Sequence, residues 1–505
     1  MNIKRAKEEI KNTIEAYLDK DAYGAYAIPP IRQRPVLLIG PPGIGKTQIM
    51  EQIAKECRIG LVAYTITHHT RQSAVGLPFI EKKTYEGKEY AITQYTMSEI
   101  VAAIYEKIQA TGLKEGILFI DEINCVSETL APTMLQFLQC KTFGNHRIPE
   151  GWVIAAAGNP PEYNKSVREF DVVTLDRIKR ILVEPDFDAW LEYACREQIH
   201  PAILSYLKIK PQYFCHIETT VDGKLFATPR GWEDLSRFMD AYERLGKTTD
   251  REVIFQYLQH PKIAKDFANY LALYEKYQND YQVEEILSGI IKESLCDQAA
   301  KASFDEKLSL VGLLLSKLGS TFRELSEKEE VTARLMEGLR SVKDGKLSDL
   351  IARTQSQWEQ LKRQELLTRK EDLLYRRLFA ALERYQNLLL QWESGCRQSG
   401  SSPDAKAGWE FLREQFAKDS DAFEACFSQA GQMLEHGFDF MEAAFGDSQE
   451  MVIFVTELNT NFYCTKFLQE YDCKRYYQYN KRLLFDDTEQ EIARIMDKNA
   501  VCGKP

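Results

Sequence analysis

The sequence offers no cysteine framework. Its 11 cysteines are scattered and odd in number, and no two stand as Cys-x-x-Cys. A disulfide scaffold and a cysteine zinc site are therefore excluded, and a reducing, cytoplasmic setting is expected. Histidine is scarce as well. The seven histidines show no metal-binding spacing, and the adjacent pair His68-His69 would send its side chains apart on a strand or a helix. No apolar run approaches the roughly 20 residues of a membrane span, so no membrane association is expected. Met1-Asn2-Ile3-Lys4-Arg5-Ala6-Lys7 has no apolar core behind it, and no secretory signal is expected. Positive charge is in deficit: 65 Lys and Arg against 75 Asp and Glu leave a net charge of −10. Proteins that coat nucleic acid usually carry the opposite sign, so a nucleic-acid partner is disfavoured.

What is present is an ordinary globular composition. Apolar residues at 44% and charged residues at 28% exclude wholesale disorder. A chain of 505 residues predicts about three domains. A first helix is expected over Lys4 to Leu18, with Ile10, Ile14 and Leu18 on one stripe. Val36-Leu37-Leu38-Ile39 follows a proline-marked loop and has no polar alternation, as in a strand buried on both faces. Leu61 to Ile66, Ile117 to Ile120 and Trp152 to Ala157 read as further strands, with a helix from Lys46 to about Cys57. Strands alternating with helices predict a doubly wound α/β domain over residues 1–185. Phe79 to Tyr95, turning at Tyr85-Glu86-Gly87-Lys88, reads as a hairpin, and a second is expected around Phe143-Gly144-Asn145-His146.

Two motifs carry chemistry. Gly40-Pro41-Pro42-Gly43-Ile44-Gly45-Lys46-Thr47 matches G-x-x-x-x-G-K-[ST], after an apolar strand and at the start of a helix. Glycines there let backbone N–H groups wrap a phosphate chain, and the helix N-terminus adds its dipole. Lys46 supplies a point charge to the β- and γ-phosphates, Thr47 a ligand for Mg²⁺, and Gln48 completes the candidate nucleotide contacts. The second motif, Ile117-Leu118-Phe119-Ile120-Asp121-Glu122, lies about 75 residues after the phosphate loop. Asp121 at the strand end suits the Mg²⁺ shell, and Glu122 suits polarisation of an attacking water.

Together these motifs resemble the AAA+ ATPases. Ala155-Ala156-Ala157-Gly158-Asn159-Pro160 resembles the strand ending in the sensor-1 residue, with Asn159 orienting the water. Leu175-Asp176-Arg177-Ile178 is similar to the leucine-aspartate-arginine-phenylalanine stretch of the MoxR-like, helix-2-insert branch, with Ile178 in the phenylalanine position. That makes Arg177 the arginine finger given to a neighbouring subunit, with Arg168 and Arg180 as the other candidates. Thr228-Pro229-Arg230 resembles the sensor-2 motif, in which Arg230 closes a lid on the γ-phosphate. The resemblance covers about residues 25–275. It implies a P-loop αβα core over 1–185 and an all-helical lid over 186–275. It also implies ATP and Mg²⁺ as cofactors, a hexameric ring, and remodelling or activation of a protein client. A separate partner bearing a von Willebrand factor A domain is implied too. The hairpin near 79–95 fits the branch's insert and Lys141 to Trp152 its pre-sensor hairpin, which makes Tyr85, Lys88 and Tyr90, or Phe143 and His146, candidate client contacts.

Two other functions stay open at this point: a nucleic-acid motor or restriction-type NTPase, and a nucleotide-gated scaffold of low turnover. ATP over GTP is also open. The rest of the chain carries no recognisable motif. It reads as a helical region over 276–398, with its longest helical stretch from about Leu347 to Trp392, a linker at Ser399-Gly400-Ser401-Ser402-Pro403, and a helical block over 403–505. Tyr476-Tyr477-Gln478-Tyr479 beside Lys474-Arg475 suits either packing or a partner.

Overall fold

The computed structural model describes residues 1–68, 74–143, 145–163, 167, 170–221, 223–341, 346–398 and 405–482. The expected linker at 399–403 and the tail beyond residue 482 lie outside the described residues.

A five-stranded parallel sheet forms the α/β core. Its strands are β1 (Val36–Ile39), β2 (Gly60–Thr65), β3 (Gly116–Asp121), β4 (Trp152–Gly158) and β5 (Lys179–Leu182), in the order β2-β3-β4-β1-β5. Both faces are covered. Val36, Leu38, Phe119, Val153 and Ala155 pack with residues of the helices Ile3–Leu18 and Lys46–Glu56. Leu37, Leu118, Ile154 and Ala156 pack with the helices Glu99–Thr111 and Ala131–Cys140 on the other side. Burial on both faces is why the strands read as unbroken apolar runs.

The register of β4 places the future site. Val36 pairs with Ala155 and Ile39 with Gly158, so the loop after β1 starts beside Asn159. On the far side of β4, Ile120 pairs with Ala156, which brings Asp121 to the same edge. The chain leaves β1 between β4 and β5, a reversal of strand order of the kind that opens a ligand crevice at the carboxyl ends.

Both expected hairpins form. The first pairs Pro78–Tyr85 with Lys88–Tyr95, and the second pairs Thr142–Phe143 with His146–Arg147. β5 was not expected from the sequence. Neither was the antiparallel pair His216–Thr220 and Gly223–Ala227, which interrupts the helices between 186 and 275. The helix Phe187–Glu197 starts beside Asp186, whose Oδ1 accepts the Ala189 N–H at 2.9 Å.

The chain forms two compact units. The first joins residues 1–189 with Thr228–Arg230 and Ala352–Leu373, and the second holds 190–227, 231–351 and the chain from Leu374 on. In the second unit Phe322 stacks on Phe467 with ring centroids 4.1 Å apart. Tyr476 is buried, and the Tyr477 hydroxyl donates to the Leu468 carbonyl at 3.0 Å, so the tyrosine cluster is engaged in packing. No described helix is long and apolar enough to cross a membrane.

The stretch from Leu347 to Trp392 is not one helix. It is two, Leu347–Arg363 and Arg369–Gln398, and both Phe304–Ser341 and Ala405–Phe445 are longer. Glu365 takes a left-handed backbone (φ 57°), and the Leu366 N–H donates back to the Leu361 carbonyl at 3.0 Å, which ends the first helix. Thr368 and Glu371 then cap each other: Glu371 N–H donates to Thr368 Oγ1 at 3.1 Å and Thr368 N–H to the Glu371 carboxylate at 2.9 Å. Thr368→Ala is expected to cost about 1 kcal/mol in a denaturant titration, and Thr368→Ser to recover most of it.

Candidate nucleotide site

The loop after β1 holds its shape through close approach. A Cβ on Gly40 would lie 2.5 Å from the Val183 carbonyl oxygen of the neighbouring chain segment. Gly43 and Gly45 both adopt left-handed backbone, at φ 77° and 90°. A Cβ on Gly43 would meet Thr228 and Arg230 at 3.2–3.3 Å, so the loop lies directly against the start of the helix Pro229–Arg244. Ile44 is buried and anchors the loop in the core beneath it. Pro41 is buried, Pro42 is half-buried, and Gln48 is exposed on the first turn of the helix Lys46–Glu56.

Lys46 is 8% exposed. Its Nζ donates to the carbonyls of Gly40 (2.9 Å) and Pro41 (2.7 Å) and to Asn159 Oδ1 (2.9 Å). Burial pulls its pKa down to about 8; Asp121 and Glu122 oppose that shift, and Arg230 adds to it. Thr47 Oγ1 donates to Asp121 Oδ2 at 2.8 Å. An octahedral Mg²⁺ with bonds of about 2.1 Å sets neighbouring ligand oxygens about 3 Å apart, so this hydroxyl–carboxylate pair fits two adjacent corners of such a shell. Glu122 follows at once, half-buried, with its N–H on Asp121 Oδ1 at 2.9 Å. Its backbone is left-handed (φ 56°), which costs a non-glycine residue of order 1 kcal/mol and is a feature of functional sites.

The predicted residues thus divide. Lys46, Thr47, Asp121 and Asn159 are joined by direct hydrogen bonds, and Glu122 and Arg230 flank them. Arg230 is exposed at the start of its helix. Arg177 is also exposed and donates to Gln139, outside the bonded cluster. Arg180 is exposed on β5, opposite Leu37 of β1, and Arg168 lies outside the described residues. Ile178 is 4% exposed, so the apolar position after Arg177 is a core position that isoleucine fills. One contact expectation fails. Phe143 is 1% exposed and stacks on Phe137 at 3.9 Å, so it is a core residue and no client contact. Tyr85 and Tyr90 remain exposed, at 53% and 49%, with Lys88 beside them.

Two histidine–carboxylate groups invisible to local spacing also appear, His216 with Glu218 and His260, and His200 with Asp240 and Glu243. In each, a ring caps a helix: His260 Nδ1 accepts the Ile263 N–H and His200 Nδ1 the Ala202 N–H. The ring proton then sits on Nε2, facing Glu218 or Glu243, which leaves neither of these two rings a lone pair for a metal.

A parallel αβα sheet with a phosphate loop at its strand-order reversal defines a P-loop nucleotide-binding fold. Residues 36–176 match the family model described as ATPase family associated with various cellular activities (AAA). The chain therefore carries an AAA ATPase domain across that span, from β1 to the helix Val172–Asp176. A comparison with curated proteins finds no match. Among solved structures, three variants of RuvB from Thermotoga maritima are similar at 15–16% identity. Each alignment covers 51% of this chain and 69% of the other, with TM-scores of 0.27–0.29.

The depressed pKa of Lys46 sets a pH dependence. Bound phosphate favours the charged ammonium, so binding takes up a proton between about pH 8 and the higher pKa of the bound form. Affinity for ATP is expected to be level from pH 7 to 8 and to weaken on the order of tenfold by pH 9.5. Lys46→Ala should bind weakly with a flat profile, which fluorescence titration with a labelled nucleotide would measure.

Proposed function

We propose that this chain hydrolyses ATP with Mg²⁺ as a MoxR-like AAA+ ring protein, a hexamer that remodels or activates a protein client in the cytoplasm. A separate protein with a von Willebrand factor A domain is the proposed coupling partner. The observation that carries the reading is the bonded cluster of Lys46, Thr47, Asp121 and Asn159 beside Glu122. The exposed hairpin Pro78–Tyr95 supports a client role, since Tyr85 and Tyr90 face solvent with centroids 6.1 Å apart.

ATP with Mg²⁺, held by these residues, would supply the phosphoanhydride bond to be cleaved and a divalent charge to offset its phosphates. The left-handed glycines let the loop amides converge on that charge, and Lys46 adds its ammonium. Thr47 and Asp121 hold the cation. Glu122 takes a proton from the attacking water, and Asn159 orients that water. Arg230 offers charge from the chain's own lid helix. Arg177, exposed and outside the cluster, offers it to the neighbouring subunit.

Phosphate release across a protein dilution series tests the reading. Specific activity should rise with concentration, and Glu122→Gln should bind ATP with little turnover. Arg177→Ala should lose about 10³-fold or more while still binding ATP. Flat specific activity with an indifferent Arg177→Ala would replace the ring with a monomeric switch.

A further inference from the structure

Asn124 is a polar residue of this site that no motif marks. It stands two residues after Glu122, in the short turn Ile123–Cys125, and is 4% exposed. Its Nδ2 donates to the backbone carbonyl of Asn159 at 2.7 Å. Its Oδ1 is buried with no hydrogen-bond partner among the described residues. An unpaired buried group of this kind is costly, and its retention calls for a reason in what the paired end does.

The surroundings are shaped around this side chain. A Cβ on Gly158 would lie 2.4 Å from Asn124 Oδ1 and 2.9 Å from Nδ2. Gly158 has no left-handed backbone, so the glycine is there for space. Without it Asn124 could not reach past the end of β4 to the next residue.

We infer that Asn124 is a positioning residue for hydrolysis, tying the turn that carries Glu122 to the sensor Asn159. The inference rests on the ATPase reading of the site. The Cys125 N–H closes the turn on the Glu122 carbonyl at 2.8 Å, which fixes Asn124 relative to Glu122. Asn124 fixes Asn159 through its carbonyl, and Asn159 in turn accepts from Lys46. Base, sensor and phosphate-loop lysine thus lie on one bonded path that crosses from the end of β3 to the end of β4. Cutting it at Asn124 frees the base and the sensor to drift apart, while Lys46, Thr47 and the loop keep their own contacts. Turnover should suffer and binding should not.

The test uses the full chain in four forms: wild type, Asn124→Ala, Asn159→Ala and the double variant. Nucleotide affinity and steady-state kcat and KM are measured for each, with the melting temperature as a check on folding. Asn124→Ala is expected to lower kcat about 10- to 100-fold with ATP affinity within about threefold of wild type. The double variant should be no slower than the slower single, because both act on one arrangement. Losses that multiply, or a kcat within twofold of wild type, would overturn the proposal. Gly158→Ala supplies a second route, since it displaces Asn124 without altering its chemistry, and it should reproduce the kcat loss. If wild type binds nucleotide but never turns over, the ATPase reading fails. Amide exchange across residues 156–162 then decides on Asn124 separately. Faster exchange there in Asn124→Ala supports the link, and unchanged exchange removes it.

Discussion

A single buried ammonium governs this site. Lys46 is almost fully enclosed, and burying a cation is tolerable only when acceptors surround it. Those acceptors are two carbonyls of its own loop and the side chain of Asn159 on another strand. The loop must therefore fold back over the helix it opens, and the end of β4 must sit beside the end of β1. The same burial lowers its pKa to about 8, so the ammonium stays charged at neutral pH but gives up its proton more readily than an exposed lysine.

The position of β4 is thus the next constraint, and the hydrophobic pattern alone cannot fix it. Both faces of the sheet are apolar, so sliding β4 by one residue would exchange one buried set for another. Shape pins it at each end. At the amino end the Trp152 ring lies over two glycines, where a Cβ would come within 2.7 Å at Gly116 and 3.1 Å at Gly60. At the carboxyl end Gly158 leaves room only for Asn124. A large ring over two glycines and an amide over a third hold β4 between them, and Asn159 is delivered to Lys46 as a result.

Much of this was legible in the chain. Four of the five core strands announced themselves because burial on both faces leaves no polar interruption, and the two motifs fell at their ends. β5 was hidden because its sequence, Lys179-Arg180-Ile181-Leu182, opens on two cations and offers only two apolar residues, neither an apolar run nor an alternation. Its Lys179 is satisfied by Glu9 and Thr13 of the first helix, contacts made 166–170 residues away. Asn124 was hidden for the same reason: its partner lies 35 residues downstream, across the sheet. The burial of Phe143 was equally opaque, because a two-residue strand carries no periodicity to assign a face.

The break at Glu365 was written in the sequence as Thr368-Arg369-Lys370-Glu371, a capping box, but the leucines running through it suggested continuity. Its consequence reaches the nucleotide domain. The Trp358 indole N–H donates to Asp372 Oδ1 at 2.9 Å, folding the two helix arms against each other. Glu365, at the bend, pairs with Lys107 of the helix Glu99–Thr111 at 2.5 Å. Residues 352–373 therefore belong to the same compact unit as the phosphate loop. An unbroken helix could not place both arms there, because at 1.5 Å per residue it would run straight past the α/β core. The folded nucleotide unit is assembled from the first 189 residues, the three residues Thr228–Arg230 at the start of the helix Pro229–Arg244, and this elbow from the helical half.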